Sequence, residues 1–364
     1  MFRLEEVLQL PPFGMDAVVK RELYLRALAD LTRHHGERCA EYGKILALLG
    51  YRPGSERGIE DFPFIPVRLF KEFNLLSIDQ ADIVKTMTSS GTTGQAVSRI
   101  FLDRETATNQ TKVLVKIVSS LTGSKRLPFL VVDCPSVVKD RSLFSARGAG
   151  ILGFSMLGRD PTYLLTDDLE IDYVALEAFL SRHAGEKVLL FGFTFMVWEH
   201  LCGALERAGH RLAIDGVLIH GGGWKKLASL AIDSVRFRKT VHETTGVSTV
   251  INYYGMVEQT GSIFVECEEG QLHASIFSDI LIRDPRSFLP LGPGNIGLVQ
   301  LLSLLPTSYP GHSILTEDLG EILGIDDCPC GRKGARFRIH GRVKDAELRG
   351  CSDVQGAAKG SDGT

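Results

Sequence analysis

The chain has no excess of charge of either sign: 41 Lys and Arg stand against 44 Asp and Glu, a formal net charge of −3. That balance provides no basic field able to condense onto a polyphosphate backbone, so nucleic acid is not an expected partner. Long apolar runs are also missing. No window approaches the roughly 20 consecutive apolar residues of a membrane span, and no membrane partner is expected. The opening residues, MFRLEEVLQLPPFGMD, carry acids and two prolines where a secretory signal needs a basic region and an unbroken apolar stretch. The expected location is cytoplasmic. Cysteine is sparse and odd in number, with seven residues at 39, 134, 202, 267, 328, 330 and 351. This argues against a disulfide framework and for reduced thiols, so that any cysteine in use is a ligand or a nucleophile.

What is present is an ordinary globular composition, 44% hydrophobic and 23% charged over 364 residues, enough for one large or two smaller domains. Residues 16 to 50 read as helical. Asp16 can cap, Val19, Leu23, Ala27, Leu28 and Leu31 share a stripe, and Gly50 offers a stop. An N-terminal helical layer over 1–60 follows, then an apolar, proline-interrupted connection, FPFIPVRLFKEFNLLS, at 62–77. Residues 103–121 suit a helix. PFLVVDCPS, VLLFGF (188–193) and GVLIHGGG (216–223) are short apolar runs bounded by Gly or Pro, as strands buried on both faces are, and helical stretches near 172–183, 194–208 and 225–243 supply crossovers. From about 249 the rhythm becomes strand-rich, predicting an antiparallel, barrel-like portion. The expected class is α/β, with a core over 61–340 and a tail over 341–364 whose last stretch, QGAAKGSDGT, frays. No internal repeat is evident.

Between two of these segments lies TSSGTTG, Thr88 to Gly94. Small residues let the backbone approach a ligand, successive N–H groups can point into one concavity, and hydroxyls add donors to anionic oxygens. Such a loop suits phosphate. It is not a Walker loop, because no Gly-Lys-Ser/Thr follows; an ordinary turn or linker is the plain alternative.

TSSGTTG resembles the phosphate-binding loop of the adenylate-forming superfamily, which includes acyl-CoA synthetases, luciferases and adenylation domains. Three further pieces occur in that superfamily's order. GGGW (221–224) is similar to its adenine-binding strand end, YYGMVEQTG (253–261) to its aromatic-Gly-x-x-Glu motif, and TEDLGEI with GRVKDAELRG to its ribose and hinge motifs. The likeness spans about residues 60 to 352. FIPVRLFKEFNLLS and RGCSD look most like the acyl-protein synthetase (LuxE-type) branch, whereas CPCGR is similar to the phenylacetate-CoA ligase branch.

The resemblance implies the large domain of the adenylate-forming fold, with the small mobile C-terminal domain absent or truncated. It implies ATP and Mg²⁺ as cofactors and a small carboxylic acid as substrate. Thr88, Ser89, Ser90, Gly91, Thr92, Thr93 and Gly94 would hold the β and γ phosphates, and Gly221, Gly222 and Gly223 the adenine. Tyr254 would stack on adenine, Glu258 hold Mg²⁺, Asp318 accept the ribose hydroxyls, and Arg342 contact ribose or phosphate. The plain alternatives are a core aromatic, a surface acid, a turn aspartate and a surface ion pair. The lysine that a swinging C-terminal domain brings to adenylation has no matching position, Lys344 and Lys359 being poor candidates. Adenylation then runs without it or with a partner's help, or that half-reaction is lost.

Cys267 and His273, in CEEGQLH, with Cys328 and Cys330 of CPC, offer three thiolates and an imidazole, a set zinc accepts tetrahedrally. Ordinary reduced cysteines are the alternative; the phenylacetate-CoA ligase resemblance favours a structural Zn²⁺ clamping two strand-rich segments. Cys351, beyond the hinge motif, matches the acylated cysteine of the LuxE-type proteins. Arg349 would lower its pKa, and a small hydrophobe in a turn is the alternative. His220 is either near the acyl carboxylate or a satisfied strand-end histidine, and Phe191, Phe193, Phe195 and Trp198 suggest an apolar acid. The expected function is ATP-dependent activation of a fatty or aromatic acid to acyl-adenylate and transfer to a protein thiol, with a carrier or reductase-like protein as partner. The rivals are a CoA ligase of the phenylacetate type and a non-catalytic nucleotide-binding subunit.

Overall fold

The structure, a computed structural model of the chain, describes residues 3–89, 97–139, 146–223 and 232–343. Three helices come first: α1 (Leu4–Val7), α2 (Ala17–Arg38) and α3 (Ala40–Leu48). Asp16 caps α2 by accepting from the N–H groups of Val18 and Val19 at 3.1 and 3.0 Å. Tyr24, Ala27, Leu28 and Leu31 form its buried stripe. The stretch expected to be helical over 16–50 forms two helices that meet at Cys39, whose backbone is extended (φ −107°, ψ 106°), and Gly50 follows with φ +60°. Val19, expected on the stripe, is exposed.

Next come β1 (Ile65–Pro66), α4 (Leu69–Glu72), β2 (Lys85–Thr88), β3 (Arg99–Leu102) and α5 (Arg104–Thr122). β2 and β3 form a separate antiparallel ribbon. The α/β portion follows: β4 (Leu127–Val131), α6 (Ser136–Lys139), α7 (Ala146–Ser155), β5 (Gly158–Tyr163), α8 (Tyr173–Arg182), β6 (Val188–Phe193), α9 (Thr194–Met196), a π-helical turn at Val197–Cys202, α10 (Gly203–Ala208), β7 (Gly216–Gly221), α11 (Ser234–Thr245) and β8 (Thr249–Tyr254). Strands β5, β4, β6, β7 and β8 lie side by side in that order, all parallel. Every residue of β6 and β7 is buried, which is why both read as unbroken apolar runs. The crossover expected from 225 is helical from Ser234, capped by Asp233; 224–231 lie outside the described residues.

The remaining strands are β9 (Phe264–Glu266), β10 (Leu272–His273), β11 (Ser278–Arg283), β12 (Pro290–Leu291), β13 (Gly297–Ser303), β14 (Ser313–Ile325) and β15 (Ala335–Arg342). They pair antiparallel and join the parallel part through β8 and β9, giving one continuous sheet ordered β12-β11-β13-β14-β15-β10-β9-β8-β7-β6-β4-β5, with β1 parallel to β14. The main core covers the parallel strands, with Phe154 of α7 stacked on Phe191 at 4.4 Å. A second cluster, built on Phe70, Met87, Ile100, Tyr309 and Ile314, sits under the β2–β3 ribbon. In register, Phe193 pairs with Gly221 and Gly221 with Tyr253, so β6, β7 and β8 end along one line. Carboxyl ends of parallel strands are where α/β sheets bind ligands.

Candidate active site

The glycines at the end of β7 are required by their surroundings. A Cβ on Gly221 would lie 2.7 Å from Tyr253, and one on Gly222, where φ is +79°, would lie 2.3 Å from the Phe193 ring. Only glycine allows this turn beside two aromatic rings. Tyr253 goes inward, against Phe154 and Phe191. Tyr254, one residue on, points to the opposite face.

There the hydroxyl of Tyr254 donates to Asp318 Oδ2 at 2.6 Å. Burial and the neighbouring Asp318 charge raise the phenol well above its ordinary value, so it stays a donor. Asp318 stands directly across the β14–β15 ladder from Arg342, whose Nε lies 3.5 Å from Asp318 Oδ1. The two carried-over motifs that hold these residues are thus joined by strand register. Tyr254, Asp318 and Arg342 form one connected group beside the glycine turn.

Glu258 follows β8 in a short turn and is 5% exposed. Its position is held through its neighbours. Tyr309 OH donates to the Glu258 carbonyl at 2.9 Å, and Gln259 Nε2 donates to the carbonyls of Gly311 and Leu301 at 2.8 and 3.2 Å. Gly261, at φ +89°, lets α5 approach so closely that a Cβ would meet the Gln110 carbonyl at 2.5 Å. Burial pushes the Glu258 carboxyl up, opposed by the Ser98 hydroxyl and by the positive charges of Lys71 and Arg342. A buried carboxylate is suited to a hard cation and its phosphate ligands.

Ser98 also closes the phosphate-loop candidate. Ser89 N–H donates to Ser98 O at 3.1 Å, and Ser98 N–H donates to Ser89 Oγ at 2.9 Å. Thr88, Ser89 and Ser98 therefore form the base of the loop, and Met87, just before it, accepts from the hydroxyl of Thr260, two residues beyond Glu258, at 3.8 Å. Ser90, Gly91, Thr92, Thr93 and Gly94 lie outside the described residues, as does Cys351.

The four proposed metal ligands do converge. One ligand atom from each of Cys267, His273, Cys328 and Cys330 lies within 4.8 Å of the others. The hairpin of β9 and β10 presents the first two and the β14–β15 turn the others. Cys267 Sγ is 3.9 Å from Cys328 Sγ, and Cys330 Sγ is 3.5 Å from His273 Nε2. A tetrahedron with Zn–S near 2.3 Å and Zn–N near 2.1 Å has edges of about 3.8 and about 3.6 Å. The other His273 nitrogen is buried with no hydrogen-bond partner among the described residues. Without a metal, burial pushes Cys267 up and Cys330 up to about 12, and lowers His273 to about 4, assisted by Arg332 and Arg336. With Zn²⁺ and three thiolates the site is anionic, and those arginines become compensating charges. The residues fit a zinc ion.

His220 is buried, with Nδ1 3.0 Å from Thr194 Oγ1 and its ring against Phe237 at 4.4 Å. Burial, with Arg238 nearby, lowers it to about 3, so it is neutral and hydrogen-bonded at pH 7. Phe191 and Phe193 are core residues, while Trp198 stacks on Phe237. Sequence reasoning missed Ser98, Tyr309 and Lys71, whose roles depend on contacts between distant segments; only Lys71 lay within a motif singled out for resemblance.

A family model for the acyl-protein synthetases, LuxE, matches residues 4–358. The chain belongs to the acyl-protein synthetase (LuxE) family. Among curated proteins it is similar to a long-chain-fatty-acid–luciferin-component ligase of Vibrio harveyi, with 24% identity over 92% of this chain and 87% of the relative. It is also 24% identical to a phenylacetate-coenzyme A ligase of Thermus thermophilus over 89% of this chain and 71% of that protein. A solved 2-hydroxyisobutyryl-CoA ligase, in complex with 2-HIB-AMP and CoA, superposes with TM-score 0.71 at 15% identity, covering 91% of this chain and 72% of that one. That likeness shows that this family member has the adenylate-forming fold. Among the described residues, no helix is long and apolar enough to cross a membrane.

Proposed function

We propose that this family member activates a long-chain fatty acid, or another apolar carboxylic acid, with ATP and passes the acyl group to a protein thiol. The observation that carries this is the convergence of Gly221–Gly223, Tyr254, Glu258 and Asp318 at the carboxyl ends of β7 and β8 and on the facing stretch of β14. A carboxylate oxygen attacks the α-phosphorus, the bond to the bridging oxygen breaks, and pyrophosphate leaves. The thiolate sulfur then attacks the acyl carbon and AMP departs.

In this reading Asp318, oriented by Tyr254, accepts from the ribose hydroxyls, and the Gly221–Gly223 turn leaves room for the adenine. Thr88, Ser89 and the loop residues Ser90 to Gly94 donate to the phosphates, where each oriented donor contributes on the order of 3 kcal/mol to a charged transition state. Glu258 holds Mg²⁺, which neutralises phosphate charge when bound. The cysteine and histidine cluster holds a structural Zn²⁺ that ties the β9–β10 hairpin to the β14–β15 turn. Phe195 and Trp198, half-buried near the end of β6, support an apolar acyl group.

Cys351 is the proposed acyl acceptor. Incubation with ATP, Mg²⁺ and radiolabelled tetradecanoate should give an adduct on the protein that neutral hydroxylamine releases, and Cys351→Ala should abolish it while preserving ATP–pyrophosphate exchange. The likeness to a phenylacetate-CoA ligase supports a second reading, in which CoA is the acceptor. An adduct that survives Cys351→Ala, or no adduct while CoA stimulates turnover, would favour that reading.

A further inference from the structure

Lys71 lies on α4, a single turn fixed on two sides. Ahead of it, Ile65 pairs with Ile314 of β14 and Val67 N–H donates to Leu315 O at 2.9 Å. Phe70 points into the second core cluster, edge-on to Tyr309 at 6.1 Å and grouped with Met87. Leu69 packs on the same cluster with Met256 and Val257. α4 is therefore wedged between the residue that precedes the phosphate loop, Met87, and the pair that precedes Glu258. Tyr309, its aromatic partner, is the group that holds the Glu258 backbone.

The charged residues of α4 divide into two sets. Arg68 and Glu72 pair with each other at 3.3 Å, one turn apart. Lys71 is half-buried and makes no ion pair within 4.0 Å among the described residues. Its charge nevertheless acts on the buried Glu258 carboxyl, as does that of Arg342. The packing of α4 against Tyr309, Met256 and Val257 thus brings the segment of Lys71 beside that of Glu258 without an ion pair between the two, and a ligand bound there would offer negative charge to the lysine and a cation to the glutamate. Phosphate oxygens with their Mg²⁺ do both.

We propose that Lys71 is a catalytic residue of the adenylation half-reaction, its ammonium group contacting the phosphates that leave as pyrophosphate. This rests on the acid-activating function proposed above. As the bond between the α-phosphorus and the bridging oxygen breaks, the electron pair goes to pyrophosphate, and a fixed ammonium stabilises that charge without moving a proton. A lysine on the core is already in place when ATP binds.

The test is carboxylate-dependent ATP–pyrophosphate exchange in wild type, Lys71→Met, Lys71→Gln and Lys71→Arg, with KM measured separately for acid and pyrophosphate. Lys71→Met and Lys71→Gln should lower exchange at least tenfold and raise the KM for pyrophosphate several-fold. Acid KM and Tm should be unchanged, and Lys71→Arg should recover a third or more of the lost rate. Exchange within twofold of wild type in Lys71→Met or Lys71→Gln would overturn the role, and so would a loss in which acid and pyrophosphate KM rise together with a fall in Tm. If wild type itself shows no exchange with any acid, the functional reading fails instead.

Discussion

Cys328→Ser removes one of four ligands from a cluster two of whose edges, 3.9 and 3.5 Å, are those of a zinc tetrahedron, and its cost can be worked out by mass action. A metal that binds the folded state alone stabilises it by RT ln(1 + [L]/Kd). Loss of one thiolate that weakens zinc about 100-fold therefore removes about 2.7 kcal/mol. Unfolding entropy of about 2.1 cal/mol/K per residue over 364 residues converts this to a fall in Tm of about 3–4 °C. The assay is calorimetry on protein purified without chelator, together with metal analysis. Wild type should carry one zinc per chain, and Cys328→Ser should carry less. Well under one zinc in wild type, with no change of Tm in the variant, would refute the site. The defect should appear first in hydrogen exchange of 264–273 and 325–336, because the metal joins the hairpin and the turn that present its ligands.

Thr92→Val and Glu258→Gln should each lower adenylate formation at least tenfold with the fold intact, measured as pyrophosphate release and circular dichroism; near-normal release in both would remove their assignments. Because burial raises the Glu258 carboxyl, the acid limb of activity should lie above the ordinary value of 4.5 and reflect protonation of the group that must bind cation. His35 and His312 stack at 5.0 Å between α2 and the loop before β14, and burial holds His312 down to about 3 and His35 well below 6.5. Both stay neutral in the folded chain and protonate in the unfolded one, so stability is full above pH 6.5 and falls as pH drops below it. Each contributes a slope of about 1.4 kcal/mol per pH unit. Urea titrations between pH 7 and 5 should show that His312→Gln flattens the pH dependence, by an amount that approaches this limit only as pH falls well below 6.5; an unchanged slope would contradict it.

Several elements were legible because local sequence and tertiary demand agree. β6 and β7 are buried on both faces and composed accordingly, and Asp16, Asp103 and Asp172 mark helix starts that the structure keeps. β5 was not legible. GRDPTY is an edge strand with polar residues and a proline, which an edge tolerates and a sequence pattern does not reveal. The π-helical turn at 197–202 looks like ordinary helix in sequence; in the fold it packs against α11, with Trp198 stacked on Phe237. In the candidate site, chemistry named the residues but topology joined them. Asp318 and Arg342 become a pair only through the β14–β15 register. Lys71 lies in a stretch that resembles the family, but nothing there singles out the lysine, and Tyr309 carries no local signal, because one reaches the site from a turn near β1 and the other from the loop before β14.

Carboxylate-dependent exchange of labelled pyrophosphate into ATP tests the central claim most directly, because it needs only the first half-reaction and no knowledge of the acceptor. A panel of fatty and aromatic acids, with purified protein and Mg²⁺, should give exchange with at least one long-chain or aromatic acid, abolished by omission of the acid and reduced at least tenfold by Glu258→Gln. Nucleotide binding with no exchange for any acid would contradict acid activation and leave a nucleotide-binding subunit.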